Sequence, residues 1–209
     1  MLAAMIDLTA KRAWIFDLDG TLTASVHDFD AIRAELGLPA GRSILESIEE
    51  IAAADRLRGL ALRASLAKIE QRYLRLARPR SAARELLQVL TQRGAKLGVL
   101  TRNTGAVARE TLSMVGLDGY FNERDVVGRD EAPAKPSPAG IELLLGNWQL
   151  SADDAVMVGD FRYDIEAGAA AGATTVCLDL RPGVEWAASA DLSVPDLEAL
   201  LTLVAGRSG

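Results

Sequence analysis

The sequence predicts an α/β fold: a mainly parallel sheet between helical layers, with a small all-helical segment inserted after the first strand. Three observations carry this. Short apolar runs with strand character recur along the chain, helical patterns separate most of them, and one long stretch near the N-terminus shows helical patterns alone. Strands and helices alternating at these lengths imply right-handed crossovers and a parallel sheet.

Residues 14–18 form the first strand, an apolar run that ends in Asp17 and Asp19. Residues 24–80 contain no convincing strand. Within them Leu62, Leu66, Ile69, Tyr73 and Leu76 are spaced four, three, four and three apart, one apolar face of a long helix. Lys68, Arg72, Arg75 and Arg78 project onto the opposite face. Beyond the insertion the alternation resumes: helix 81–92, strand 96–101, helix 105–115, strand 125–127, helix 138–147, strand 155–158, helix 164–171 and strand 174–178. Gly116 and Gly172 stand where helices should stop, and Ser137-Pro138 reads as an N-cap with a first-turn proline. Residues 194–204 read as a closing helix. The expected organisation is a core domain of residues 1–23 and 81–209 and a helical cap domain of residues 24–80.

Composition narrows the class. A chain of 209 residues buries a sizeable core, and its 49% hydrophobic and 25% charged content is that of a folded domain. Cys177 is alone, so no intrachain disulfide forms. No apolar run approaches the roughly 18 residues of a membrane span, and residues 1–6 do not read as a signal peptide, so the expected location is cytoplasmic. The net charge of −6 argues against general nucleic-acid binding. Between Asp55 and Arg84, however, nine basic residues face two acids, leaving −13 for the remainder. That stripe is either a solvated face or an electrostatic funnel for anions.

Ligands of open α/β sheets bind beyond the carboxyl ends of the strands, so the residues there carry the chemistry. The first strand end supplies Asp17, Asp19, Gly20 and Thr21; the second supplies Thr101, Arg102 and Asn103; the third leads to Lys135; the fourth gives Asp160 and Asp164. Each has a simpler reading. Asp17 and Asp19 can cap a turn, Thr101 can cap a helix, Lys135 can be a solvated loop residue, and Asp160 and Asp164 can complement a helix N-terminus. Two carboxylates about 4 Å apart repel by roughly 4 kcal/mol at an effective dielectric near 20, so the pair calls for a cation or a shared proton.

Taken together and in order, the four motifs resemble the haloacid dehalogenase-like hydrolases, and more narrowly the capped phosphoglycolate phosphatase-like group. The resemblance runs from Trp14 to the final helix. It implies a Rossmann-like three-layer sandwich and a Mg²⁺-dependent phosphatase acting on a small phosphorylated metabolite, such as phosphoglycolate or a sugar phosphate. Asp17 would be the nucleophile, forming an aspartyl-phosphate, and Asp19 the acid and base. Asp17, the Asp19 carbonyl and Asp160 would hold Mg²⁺, with Asp164, Thr21 and Gly20 in support. Thr101 and Lys135 would hold phosphate, with Arg102 and Asn103 beside them. In this family an acid at the position of Asp19 favours phosphoesters over haloacids and phosphonates. A phosphomutase on the same scaffold and a non-catalytic ligand- or partner-binding member stand as alternatives. Monomer and homodimer are both open.

Overall fold

The computed structural model describes residues 6–178 and 185–206. Strand β1 (Ala13–Phe16) is followed by helices α1 (Phe29–Leu36), α2 (Ile44–Ala54), α3 (Arg56–Leu74) and α4 (Ala83–Gln92). Then come β2 (Lys96–Leu100), α5 (Gly105–Met114), β3 (Val126–Val127), α6 (Ala139–Trp148), β4 (Ala155–Gly159), α7 (Arg162–Ala171), β5 (Thr174–Leu178), β6 (Leu192–Val194) and α8 (Leu197–Ala205).

The six strands pair in the order β3-β2-β1-β4-β5-β6, all parallel. The α/β class expected from the alternation, and the Rossmann-like form the resemblance implies, are what is observed. β1 is wholly buried, as suits a central strand covered on both faces. Ala13 and Ile15 pack with Leu100, Ile141, Leu144 and Met157 on one side of the sheet. On that side the bare Cα of Gly98 admits the Trp148 ring, since a Cβ there would lie 2.8 Å from it. Trp14 and Phe16 alternate to the other side, and their rings stack 6.3 Å apart. α4 packs on β2 and on α8.

The sheet order places a topological switch at β1, where the chain winds first toward β3 and then back to β4. Register does the rest. Phe16 is level with Val99 of β2 and Val158 of β4, so the next residues of three strands emerge together at one rim. Such a switch is where an open α/β sheet leaves a crevice.

The chain divides into two compact units. One runs up to Ser25 and resumes at Arg78; the other is Val26–Ala77. The boundaries fall inside 24 and 80 because the entering and leaving segments pair. The Ala24 amide donates to the Arg78 carbonyl, the Arg80 amide donates to the Leu22 carbonyl, both at 2.9 Å, and Thr23 bridges Pro79. In the helical unit Ile32, Leu36, Leu38, Ile48, Leu66 and Ile69 form the core. α2 meets α3 closely at Gly59, where a Cβ would lie 2.4 Å from that of Ala52. Leu76 lies past the end of α3 and is exposed, so the apolar face is shorter than the spacing suggests.

One other expectation changes. The tail is not helical from Val194: that residue closes β6, and α8 starts at Leu197. Pro195 disfavours helical backbone at the residue before it, and Asp196 caps the helix by accepting from the Ala199 amide at 2.8 Å. The basic stripe is offset. Arg63 pairs with Glu49 at 2.6 Å and Arg72 with Glu35 at 2.5 Å, and residues 26–77 carry eight basic and eight acidic side chains. The solvated-face reading is the one these pairs favour. Among the described residues no helix is long and apolar enough to cross a membrane. Cys177 is a buried core residue, packed with Ile165 and Ala187.

Candidate active site

The rim is built from loops that leave the sheet. Asp17 continues β1 for one residue, its amide donating to the Val158 carbonyl at 2.9 Å. The chain then coils around the Leu18 carbonyl, which accepts from the amides of Leu22 and Thr23 at 3.0 and 2.9 Å. Gly20 makes that turn possible. Its φ is +96°, and a Cβ there would sit 2.4 Å from Asp160 Oδ2, so only glycine fits. Thr21 Oγ1 donates a long hydrogen bond to Asp160 Oδ1, 3.4 Å.

Lys135 lies at the centre. It is only 2% exposed, and its Nζ donates to Asp17 Oδ1 and to Asp164 Oδ1, each at 2.6 Å. Asp164 Oδ2 accepts from the Phe161 amide at 3.0 Å, which fixes the start of α7. Burial works against the Lys135 ammonium, but Asp164 and Asp17 outweigh it and hold its pKa above that of an ordinary lysine. Burial pushes Asp17 upward while Lys135 pulls it back. Burial also takes Asp164 up to about 6.

Asp19 has a different hydrogen-bond partner. Its Oδ2 accepts from Asn103 Nδ2 at 2.6 Å, and burial raises it to about 6 against that hydrogen bond. A carboxyl group poised there both gives and takes protons near neutral pH. Thr101 is buried, and its Oγ1 accepts from the Asn103 amide at 3.1 Å. It does not cap a helix; that role belongs to Thr104 at the start of α5.

One carboxylate oxygen from each of Asp17, Asp160 and Asp164 lies within 4.8 Å of the others. Lys135 offsets one of these three charges, so the ionised set still lacks positive charge. Hard oxygen donors in that number suit a divalent cation of the Mg²⁺ kind. Asp164 already engages both oxygens, with Lys135 and with the Phe161 amide, so Asp17 and Asp160 are the better-placed ligands. Carboxylate oxygens of Asp17 and Asp160, the residues expected to offer them to a metal, thus lie within 4.8 Å of each other.

Residues 11–172 match the family profile of the haloacid dehalogenase-like hydrolases. The chain belongs to that family. Among the relatives of this hydrolase are a phosphoglycolate phosphatase of Rhodospirillum rubrum, 33% identical over 80% of this chain and 79% of that one, and the pyrophosphatase PpaX of Listeria welshimeri, 31% identical over 83% and 82%. A crystal structure of a hydrolase from Pseudomonas syringae superposes with a TM-score of 0.76 at 25% identity, covering 91% of this chain and 96% of that one.

Several contacts at the rim of this hydrolase carry no sequence signal. Arg80 Nη1 donates to the Gly20 carbonyl at 2.7 Å and so braces the loop of Asp17 and Asp19. Arg129 donates to the Arg102 carbonyl at 2.8 Å. Arg102 donates to the Lys135 carbonyl, and its guanidinium lies 4.3 Å above the Tyr163 ring. Phe161, just after Asp160, meets Tyr163 and Trp186 edge to face at 5.1 and 5.7 Å. Sequence offers a position for each of these residues but no periodicity that announces its partner.

Proposed function

We propose that this hydrolase removes phosphate from a small phosphorylated metabolite, with Asp17 as nucleophile and Asp19 as proton donor and acceptor. The observation that carries the reading is the difference between two neighbouring carboxyl groups. Asp17 is anchored by the Lys135 ammonium at 2.6 Å, whereas Asp19 is bound by the neutral amide of Asn103 and titrates near 6. A carboxylate aimed by a buried cation suits attack, and a carboxyl raised toward neutrality beside a neutral amide suits proton transfer.

The chemistry runs in two steps. An Asp17 carboxylate oxygen attacks phosphorus, the bond from phosphorus to the leaving oxygen breaks, and the Asp19 carboxyl gives its proton to that oxygen. Asp19, now ionised, takes a proton from water as the water oxygen attacks phosphorus; the bond to Asp17 breaks and phosphate leaves. Thr101 and the Lys135 ammonium bind phosphate oxygens, and Lys135 keeps Asp17 aimed. Asp17 and Asp160, with the Asp19 carbonyl that the family resemblance adds, would hold Mg²⁺, which supplies charge neutralisation for the bound phosphate. The helical unit, entering nine residues after Asp17 and leaving before α4, serves in this reading as the cap that selects substrate. The names of the relatives point to phosphoglycolate and pyrophosphate as first compounds to try. A sequence with one cysteine, Cys177, accords with a cytoplasmic setting.

The test is a phosphate-release screen over small phosphorylated metabolites with Mg²⁺, run beside Asp17→Asn. Release by the native enzyme and none by the variant is the expected result. Isomerised sugar phosphate without net release would assign a phosphomutase instead.

A further inference from the structure

Lys135 reaches two acids at 2.6 Å from a loop between β3 and α6. Its side chain has four rotatable bonds, so the position of the ammonium depends on how firmly the main chain at residue 135 is held. No strand or helix includes that residue. A hydrogen bond to its carbonyl comes from Nη1 of Arg102, on the loop after β2. The face of the same guanidinium lies 4.3 Å from the ring of Tyr163, the residue next to Asp164. One planar group therefore touches the residue that carries the ammonium and the neighbour of an acid that receives it.

Arginine suits this double duty because its donors lie in the plane that its face presents to the ring. Arg102 is itself held from the loop after β3. Arg129 Nη1 donates to the Arg102 carbonyl at 2.8 Å, and the Arg129 amide donates to the Asn103 carbonyl at 2.9 Å. Contacts thus run in series from Arg129 to Arg102, from Arg102 to Lys135, and from Lys135 to Asp17 and Asp164.

We infer that Arg102 is a positioning residue: its guanidinium, backed by Arg129, fixes the Lys135 main chain and the Tyr163 ring and so sets where the ammonium stands between Asp17 and Asp164. The inference rests on the phosphatase reading for its kinetic consequences, but not for its structural one. A direct phosphate ligand would act chiefly on KM. A positioning residue acts on kcat, because a displacement of about 1 Å at the reacting groups can cost on the order of 100-fold.

The experiment has two arms. Lys135 is one of four lysines, and the other three are not buried. In protein labelled with ¹⁵N-lysine its ammonium should therefore be the signal protected from water exchange. In Arg102→Ala that exchange is expected to speed up by about fivefold or more while the melting temperature stays within a few degrees. In the kinetic arm, Arg102→Ala should lower kcat by roughly 10- to 100-fold with KM within about threefold, and added guanidinium ion should restore part of the loss. Arg129→Ala should lose less, and its effect should not add to that of Arg102→Ala, because it acts through the same residue. An ammonium signal unchanged in Arg102→Ala overturns the inference, as does a loss confined to KM or one that guanidinium cannot relieve. If native enzyme releases no phosphate from any substrate, the phosphatase reading fails and the ammonium signal alone decides this one.

Discussion

Lys135 Nζ stands 2.6 Å from Asp17 Oδ1 and the same distance from Asp164 Oδ1, so one buried cation organises two buried acids. Removing it strands both carboxylates. Breaking a buried pair by deleting one partner costs about 3–5 kcal/mol, and Lys135→Met should destabilise the protein by that order. The sign with pH follows. Carboxyls held above their ordinary pKa stabilise the fold fully below the unfolded value and lose that contribution as pH rises through the folded value. Lys135→Met should therefore be closest to native stability near pH 4 and furthest from it near pH 8. Urea denaturation at both pH values measures this.

A second prediction concerns the acids themselves. Asp164 titrates near 6 through burial. Without metal it favours the fold in its protonated form, and that contribution fades as pH rises from about 4 past 6. Burial also holds Asp17, a metal ligand in this reading, above the ordinary carboxylate range, so protons compete with a divalent cation for its oxygens. Mg²⁺ should therefore raise the melting temperature more at pH 8 than at pH 5, and a chelator should reverse the gain. Thermal unfolding with and without Mg²⁺ reads the difference.

Asp19→Asn separates leaving groups. Alkyl phosphates need a proton on the departing oxygen, so kcat/KM should fall by roughly 10²–10⁴. Nitrophenyl phosphate should lose much less. Native kcat/KM on an alkyl substrate limited by the first step should decline as pH rises through the free-enzyme Asp19 pKa, about 6, because the protonated acid is then depleted. The aryl substrate should lack that limb. Parallel pH profiles on the two substrates check both statements.

Gly20→Ala tests the packing beneath the acids. At φ +96° the new Cβ is strained and lies 2.4 Å from Asp160 Oδ2, so Asp160 must move. A loss of about 1–3 kcal/mol is expected, together with a weaker Mg²⁺ effect on the melting temperature. Differential scanning calorimetry with and without Mg²⁺ provides both numbers.

Much of this was legible in the chain because the chemistry sits at strand ends. Asp17, Thr101 and Asp160 each follow a short apolar run, and parallel register brings such ends to one rim. β6 was not legible: Leu192–Val194 holds three residues, and only Pro195 and Asp196 separate them from the apolar helix that follows. The basic stripe on α3 was legible as charge but not in its pairing. Its partners Glu35 and Glu49 lie on other helices, where periodicity along one segment does not look. Arg80, Arg102 and Arg129 were unreadable as braces because each binds a main-chain carbonyl, and any residue type offers one.

The most direct measurement is chemical. Native enzyme mixed with Mg²⁺ and a turned-over substrate, quenched in acid and digested, should yield the peptide containing Asp17 with one phosphoryl group attached. Asp17→Asn should yield none. Rapid turnover with no phosphoryl group on that peptide at any quench time, or a group on another residue, would contradict attack by Asp17.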